Sequence, residues 1–258
     1  MPDSAFAVAD NYRICYQQYG SGPPIVLVHG WGSDAEHNWL QTGWVDALQP
    51  LRTVITIDSR GHGRSDKPYA SEPYGYAAMG RDVLAVMDAL ELTRADFLGY
   101  SMGSFIGAAL LGQYAHRFTS MMWGGIGAET ETSAAQGAVI DAALRLTPDE
   151  VEPDSYVDRV RQFVSANPDN DLTALGYSAA RMWSEGDPLE LIGPDIANLD
   201  LPILVVNGTQ DFPYVQTVEP LLDALPRVRY EQIPDADHLT AVTDARFKQA
   251  VIDFLQSQ

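Results

Sequence analysis

The sequence predicts an α/β fold in which a mostly parallel sheet carries helices on both of its faces. Short apolar runs of strand length alternate along the chain with longer stretches whose apolar residues recur at helical spacing. Two of the runs, 24–28 and 203–206, are continuously apolar and rich in β-branched residues, which is typical of strands buried on both faces. Strands joined by helical crossovers form a parallel sheet covered by helices.

The predicted elements occur in order along most of the chain. Asp10 and Asn11 form a turn between the first two strands, which makes that pair antiparallel. Strands are expected at residues 6–8, 13–16, 24–28, 54–57, 96–99, 120–123, 203–206 and 228–231. Helices are expected at residues 76–90, 105–114, 218–225 and 247–255, where apolar side chains fall on one stripe.

The interval from about residue 129 to residue 198 interrupts this alternation, because its periodicity is helical only. Helical patterns cover residues 134–146, 156–166 and 172–183, and prolines separate them. A helical insert between two parallel strands should lie over the strand ends, where open α/β folds bind ligands. We interpret residues 126–198 as a helical cap on an α/β core formed by residues 1–125 and 199–258, the whole being one structural domain.

The formal net charge is −19, and more than half of it falls between residues 125 and 200. That segment forms either a solvated acidic face or a rim around a pocket for uncharged or cationic ligands. Neither a nucleic-acid nor a membrane partner is expected, because both present negative charge. No apolar run approaches the roughly 20 residues that span a bilayer, and the first residues lack a secretory signal. With Cys15 the only cysteine, we expect a cytoplasmic protein; its oligomeric state is unknown.

The pentapeptide 99–103 has the form G-x-S-x-G, follows the strand residues 96–98 and opens the helix that begins near Gly103. A sharp turn from strand to helix lifts the Ser101 hydroxyl clear of the backbone, and the helix N-terminus favours negative charge that develops there. The pentapeptide alone is a weak signal, which its position between strand and helix strengthens. We therefore expect Ser101 to be a nucleophile.

The segment 28–32, with the sequence VHGWG, ends an earlier buried strand. A backbone N–H just after such a strand can point at the nucleophile and stabilise an oxyanion, and we assign this role to Trp31, with the N–H of Met102 as its partner. A plain glycine-rich turn is the alternative. His29 is expected to be a structural hydrogen-bonding residue, and His62 and His116 are expected in turns or at the surface.

An acid and a base follow the nucleophile along the chain. Asp211 comes after the strand 203–206, so its carboxylate can reach a histidine on the next loop, although a surface aspartate is the alternative. Of the five histidines, only His238 occupies a loop at that end of the sheet after the acid. The order Ser101, Asp211, His238 is the one expected for a hydrolase with a nucleophile elbow.

Together these motifs resemble those of the α/β-hydrolase superfamily. The resemblance rests on HGWG at 29–32, DSRGHGRS at 58–65, GYSMG at 99–103, NGTQD at 207–211 and DH at 237–238, in the expected order over nearly the whole chain. It is greatest with small bacterial esterases and cofactor-free haloperoxidases, or perhydrolases. It implies a catalytic triad of Ser101, Asp211 and His238, an oxyanion hole formed by Trp31 and Met102, a helical cap, and neither a cofactor nor a metal ion. The Asp-Ala-Asp sequence before the histidine departs from the glycine-rich turn that is usual there.

The reaction that we expect is hydrolysis of a small, uncharged carboxylic ester through an acyl-enzyme. Lactone ring opening is the second alternative, and perhydrolysis is a conceivable side activity of the same triad. Cleavage of a carbon–carbon bond in a ring-fission product is the third alternative. It ranks below the others because its substrates are usually dianionic and need cations in the binding site. The cap offers few cations for them beyond Arg145, Arg159, Arg161 and Arg181. From another class of function, the chain could be a ligand receptor that keeps the fold and turns over slowly.

Substrate selectivity depends on side chains that the sequence locates only coarsely. One candidate is His37, just past the proposed oxyanion loop. The other candidates are large side chains in or near the cap, namely Trp123, Tyr156, Tyr177, Met182 and Trp183. Aromatic residues at helical spacing are more often part of a core. Packing in the core is therefore the alternative role for these large side chains.

Overall fold

The computed structural model describes residues 3–128, 133–185, 187–194, 196 and 199–258. Within these ranges the strands are β1 (Ala5–Ala9), β2 (Tyr12–Gly20), β3 (Pro24–Val28), β4 (Thr53–Ile57), β5 (Ala95–Tyr100), β6 (Phe118–Gly124), β7 (Ile203–Gly208) and β8 (Val228–Ile233). They form one sheet in the order β1-β2-β4-β3-β5-β6-β7-β8. The β1–β2 and β2–β4 pairs are antiparallel and the others are parallel, which confirms the predicted sheet.

The α-helices of the described ranges are α1 (Trp44–Leu48), α2 (Tyr76–Ala89), α3 (Met102–Tyr114), α4 (Ser133–Arg145), α5 (Tyr156–Ser165), α6 (Leu172–Glu185), α7 (Pro188–Ile192), α8 (Tyr214–Thr217), α9 (Glu219–Ala224) and α10 (Ala245–Gln256). A π-helical turn covers Glu36–Leu40, and short 3-10 turns cover Glu72–Tyr74, Ala115–Arg117, Pro148–Glu150 and Ala241–Thr243. In this part of the chain no helix combines the length and the apolarity needed to cross a membrane.

Helices cover both faces of the sheet, because successive residues of a strand point to opposite sides. On one face, Val26 and Val28 of β3 join the same core as the buried stripes of α2 and α3. On the other face, Ile25 and Leu27 join a second core that contains Trp44 of α1 and the buried residues of α10. Both faces of β3 are therefore apolar, which is the physical reason for the unbroken apolar run in its sequence.

The carboxyl ends of the parallel strands lie along one edge of the sheet. Gly124 at the end of β6 pairs with Tyr100 of β5 on one side and with Val206 of β7 on the other. The side chain of Asn207 reinforces this edge: its Oδ1 accepts from the Ile126 N–H at 3.1 Å and its Nδ2 donates to the Ile126 carbonyl at 2.9 Å. The loops that follow β5, β6 and β7 consequently begin side by side.

In the described part of the interval between β6 and β7, the α-helices are α4 to α7. Two of them approach closely at glycines: a Cβ added at Gly137 of α4 would lie 2.7 Å from the Ala179 carbonyl oxygen of α6, and one at Gly176 of α6 would lie 2.5 Å from the Asp141 carboxylate. A small apolar core of their own includes Leu175. The helices predicted at 134–146, 156–166 and 172–183 are thus present with bounds shifted by one or two residues, and α7 was not predicted.

Candidate active site

Ser101 occupies a sharp turn between β5 and α3. Its backbone has φ 50° and ψ −118°, a conformation that residues with a side chain rarely adopt. Close packing leaves no room for larger residues beside it: a Cβ at Gly99 would lie 2.4 Å from the Gly103 carbonyl carbon, and one at Gly103 would lie 2.0 Å from the Val28 carbonyl oxygen. Both glycines of the pentapeptide are therefore required by space, and the serine is held at the carboxyl edge of the sheet.

His238 bridges Ser101 and Asp211. Its Nε2 lies 2.9 Å from Ser101 Oγ, and its Nδ1 lies 2.8 Å from Asp211 Oδ1. Because a carboxylate only accepts hydrogen bonds, Nδ1 carries the proton and Nε2 is left to accept from the serine hydroxyl. Asp211 is completely buried, whereas the His238 side chain is 30% exposed. The structure thus brings three residues that are distant in sequence into one hydrogen-bonded chain.

Two tyrosines support His238. The Tyr100 hydroxyl donates to the His238 carbonyl oxygen at 2.5 Å, and the ring centroids of the two residues are 5.3 Å apart. The ring of Tyr214 lies 5.1 Å from the imidazole. Burial raises the pKa of Tyr100 well above its ordinary value, so the hydroxyl remains protonated and can donate. Sequence reasoning missed both residues, although one lies inside the pentapeptide and the other follows Asp211 by three positions.

The carboxylate of Asp211 has an unusual environment. Its Oδ2 is buried and has no hydrogen-bond partner among the described residues. Buried polar atoms are usually paired, because leaving one unpaired costs free energy. Within the same part of the chain, His238 is the one side chain that donates to Asp211. Positive charge that develops on the imidazole is therefore stabilised by a carboxylate with few competing partners.

The loop after β3 lies directly against the nucleophile, since a Cβ added at Gly30 would be 3.4 Å from the Ser101 Cβ. Side chains from two other segments hold this loop in place. The Gly30 N–H donates to Asn38 Oδ1 at 3.0 Å, and the Gly32 N–H donates to His62 Nε2 at 3.2 Å. The backbone on either side of Trp31 is therefore fixed.

Two backbone donors beside the nucleophile remain unused. Among the residues that the structure describes, neither the N–H of Trp31 nor the N–H of Met102 donates a hydrogen bond within the protein. The first belongs to the loop against Ser101, and the second opens α3 directly after it. Unpaired donors at a helix start suit an anionic oxygen.

Two buried histidines, His29 and His62, form hydrogen bonds with the loop after β3. His29 Nε2 accepts from the Ser59 N–H at 3.0 Å, so its Nδ1 donates to the Gly30 carbonyl at 2.8 Å. His62 accepts from the loop through Nε2, so its Nδ1 donates to the Arg60 carbonyl at 3.0 Å. Burial lowers the pKa of both residues, that of His62 to about 3. The expectation that His62 lies in a turn or at the surface was wrong about exposure: it is fully buried, because its ring is needed as an acceptor inside the fold.

A cavity of about 210 Å³ opens onto Ser101 and His238. Its walls include His37, which was a candidate substrate contact, and also Phe163 and Leu239, which were not predicted. Among the described residues that line this cavity, none is Lys, Arg, Asp or Glu. The cavity therefore suits the uncharged part of a small molecule. Larger cavities of about 420 and 480 Å³ have linings that contain neither the serine nor the histidine.

A second cavity, of about 20 Å³, also has Ser101 in its lining. Met182 and Trp183 of α6, two of the candidate substrate contacts, form part of its wall. Phe105 and Tyr214 also line it and were not predicted. The insert between β6 and β7 thus contributes side chains next to the nucleophile.

Three of the predicted substrate contacts lie elsewhere. Trp123 is fully buried in the core, where its indole leaves no room for a Cβ at Gly107 of α3. Tyr156 is 46% exposed on α5, and the ring of Tyr177 packs under the Arg145 guanidinium at 4.3 Å. None of the three lines either cavity at the serine. Trp123 thus follows the alternative interpretation and packs in the core.

Hydrogen bonds connect the insert to the loop after β3. Asn170 Nδ2 donates to the Gly32 carbonyl at 2.7 Å, and Asn167 Nδ2 donates to Asp34 Oδ2 at 2.8 Å. The other oxygen of Asp34 pairs with Nδ1 of His37 at 2.8 Å.

Within the described residues, no group of three or more His, Cys, Asp or Glu is arranged to hold a metal ion.

Known proteins resemble this chain over different lengths. Residues 23–135 match the family with the alpha/beta hydrolase fold. An uncharacterized protein of Mycobacterium tuberculosis is 35% identical over 121 residues; the match covers 47% of this chain and 33% of that protein, so the chain spans about a third of its length. A 3-oxoadipate enol-lactonase of Acinetobacter baylyi is 29% identical, with 92% of this chain and 90% of that enzyme covered.

Solved structures share the fold over almost the whole chain. A hydrolase from Pseudomonas aeruginosa is 27% identical with a TM-score of 0.80, and 98% of each chain is covered. The enol-lactonase from Burkholderia xenovorans is 25% identical with a TM-score of 0.77, covering 98% of this chain and 100% of the other. These likenesses agree with the observed sheet and helices and confirm the resemblance drawn from the motifs. The chain therefore has the α/β-hydrolase fold and resembles the members of that superfamily.

Proposed function

We propose that this hydrolase cleaves carboxylic esters through an acyl-enzyme. The observation that carries the proposal is the continuous hydrogen-bonded chain from Ser101 Oγ through the His238 imidazole to the buried Asp211 carboxylate, with contacts of 2.9 and 2.8 Å. In this arrangement Ser101 is the nucleophile, His238 the general base and Asp211 the group that orients the imidazole.

Acylation begins when Ser101 Oγ attacks the ester carbonyl carbon while His238 Nε2 takes the hydroxyl proton. The Asp211 carboxylate holds the tautomer in which Nε2 is free to accept that proton, and it stabilises the imidazolium that results. When the tetrahedral intermediate collapses, His238 returns the proton to the leaving alkoxide, and the alcohol departs. Water activated by the same imidazole then attacks the acyl-serine and releases the acid.

The oxyanion of the tetrahedral intermediate needs donors that are already in place. The unused N–H groups of Trp31 and Met102 are the candidates, because each belongs to a segment next to Ser101 and neither is engaged within the described protein. Removal of one such donor from a water-poor site typically costs about 3 kcal/mol of transition-state stabilisation. The hydrogen bonds that fix Gly30 and Gly32 hold the loop of Trp31 ready before the substrate arrives.

The distribution of charged side chains around the larger cavity fits an uncharged substrate. The 210 Å³ cavity has no cation in its described lining, and the arginines of the insert are occupied away from it. Arg145 pairs with Asp141 and Arg181 pairs with Glu185. Arg161 donates to carbonyls at the end of α4, and Arg159 donates to a carbonyl just before α5. This distribution argues against the dianionic substrates of carbon–carbon bond hydrolysis.

Lactone ring opening is the second candidate, and the relatives favour it. The Acinetobacter baylyi relative and the Burkholderia xenovorans structure are both named enol-lactonases. A lactone is a cyclic ester, so the same nucleophile, base and oxyanion donors would open it.

We further propose that the insert acts as a cap over the cavity, because Met182 and Trp183 of α6 line the space beside Ser101.

A cytoplasmic location is also proposed. The supporting observation is that Cys15 is the only cysteine of the sequence, so the chain cannot form an internal disulfide of the kind that oxidising compartments favour.

Turnover of p-nitrophenyl acetate by the purified chain tests the proposal. We expect hydrolysis by the wild type and its loss in Ser101→Ala, with Ser184→Ala as the matched control, since Ser184 is an exposed serine of α6. A panel of open-chain esters, lactones and ring-fission dienoates, assayed side by side, then identifies the preferred class.

Binding of esters without any turnover would contradict the proposal and favour the ligand receptor. Equal turnover by wild type and Ser101→Ala would also contradict it, because the hydrolysis would then come from another group.

A further inference from the structure

The two cavities meet at the nucleophile but differ about tenfold in size. One has a volume of about 210 Å³ and the other about 20 Å³, and Ser101 and Trp31 line both. An ester has two parts, the acyl chain and the alcohol, which leave the carbonyl carbon in different directions. A substrate attacked by Ser101 would therefore direct one part into each cavity.

The position of His238 decides which part goes where. His238 lines the larger cavity and does not line the smaller one. The leaving alkoxide must receive its proton from Nε2 of this residue, so the alkoxide oxygen lies on the side of the imidazole. The alcohol part thus extends into the larger cavity, and the acyl chain is left with the smaller one.

The walls of the smaller cavity resist expansion. Trp31 and Trp183 contact edge to face with centroids 5.3 Å apart, and Phe105 and Tyr76, which also line this cavity, stack with centroids 5.4 Å apart. Met182 is 1% exposed. Aromatic rings held by neighbouring rings and by buried packing have little freedom to move aside. The available space therefore limits the acyl chain that can be accepted.

We infer that the enzyme is selective for esters of very short acids, acetyl above all, with a larger uncharged alcohol. This inference rests on the proposed function. A single water needs about 10–15 Å³ of such space, so a cavity of about 20 Å³ holds a methyl group but not a longer chain. In a lactone the acyl chain is joined to the alkoxide oxygen in one ring, so part of this ring would have to fit into the smaller cavity. Open-chain acetates are therefore preferred over lactones.

The experiment compares kcat/KM for the p-nitrophenyl esters of acetic, butanoic and hexanoic acid. For the wild type we expect acetate to exceed hexanoate by at least about tenfold, since each methylene that a pocket cannot accept lowers the rate. Met182→Ala enlarges the smaller cavity and should shift the preference toward butanoate. Trp183→Ala, at a half-buried position of the same wall, is the second variant in case Met182→Ala does not fold.

Leu239→Ala is the matched control, because Leu239 lines the larger cavity and is 58% exposed. It should leave the ratio of acetate to hexanoate unchanged while altering KM for acetates of bulkier alcohols. Equal kcat/KM for acetate and hexanoate in the wild type would overturn the inference, as would an unchanged ratio in both folded wall variants. In either case Ser101-dependent turnover would persist, so the proposed function would stand. If the wild type hydrolysed none of the three esters, that result would instead count against the proposed function.

Discussion

The indole N–H of Trp31 donates to Ser178 Oγ at 3.0 Å and so connects the proposed oxyanion loop to helix α6 of the insert. Ser178 is fully buried and also donates to the Leu175 carbonyl of its own helix at 2.8 Å. The Trp31 side chain, which flanks the proposed oxyanion donor, is therefore positioned by a helix that also lines the smaller cavity at Ser101.

Removal of the Ser178 hydroxyl should lower kcat more than it raises KM. A hydrogen bond of this kind contributes about 0.5–1.5 kcal/mol, so Ser178→Ala should reduce kcat roughly twofold to tenfold. Steady-state kinetics with p-nitrophenyl acetate measure the split. Ser184→Ala is the control, because Ser184 makes the same local bond to a helix carbonyl without touching Trp31. A similar loss in both variants would indicate a general effect on α6.

Asp211→Asn should reduce kcat/KM by about a thousand- to ten-thousand-fold. An amide in place of the carboxylate favours the wrong imidazole tautomer and removes the charge that stabilises the imidazolium. Asp237→Asn is the matched control, since Asp237 precedes His238 in the chain but accepts hydrogen bonds from Leu239 and Thr240 instead. Equal activity of Asp211→Asn and wild type would show that the acid lies elsewhere.

Acid should destabilise the fold through the buried imidazole of His62. Its folded-state pKa is lowered to about 3, below the ordinary value of 6.5, so the unfolded chain binds a proton that the folded chain refuses. This contribution to stability is fully present above pH 6.5 and is lost as the pH falls toward 3. The loss amounts to about 1.4 kcal/mol for each pH unit in that window.

Urea unfolding of wild type and His62→Gln at pH 7, 6 and 5 measures this effect. Glutamine can still accept from the Gly32 N–H but does not titrate. We expect the free energy of unfolding to fall less steeply with acidification in the variant. Identical slopes would mean that His62 takes up its proton without unfolding.

Asp82→Asn should lower the free energy of unfolding by about 3–5 kcal/mol. Arg60 is 1% exposed and its Nε donates to Asp82 Oδ2 at 2.7 Å, so removal of the carboxylate charge leaves a buried guanidinium without its main partner. Urea unfolding at neutral pH is the measurement. The control is Asp200→Asn, which removes an exposed partner of Arg227 and should cost no more than about 1 kcal/mol.

The sheet and the triad candidates were predictable because short-range chemistry specifies them. Buried parallel strands need continuous apolar runs such as that of β3. The turn at Ser101 needs Gly99 because of its tight approach to the Gly103 carbonyl, and Gly103 because of its tight approach to the Val28 carbonyl. Parallel strands also bring their carboxyl ends to one edge, which placed Asp211 and His238 correctly in space from their position in the chain.

The walls of the cavities were less predictable, because they depend on how the insert packs on the core. Met182 and Tyr177 both lie on α6, yet only Met182 lines the space at Ser101. Which face of the helix points inward depends on contacts such as that between Trp31 and Ser178, which link residues 147 positions apart. The burial of His62 is a similar case, since its acceptor role involves a loop 30 residues away.

Labelling with a fluorophosphonate, followed by mass spectrometry of the proteolytic peptides, tests the central claim most directly. The reagent reacts with a serine only when a base activates it. We predict one phosphonyl adduct, located on Ser101, and much slower labelling in His238→Ala. An adduct on a different residue, or equal labelling rates in wild type and His238→Ala, would contradict the account.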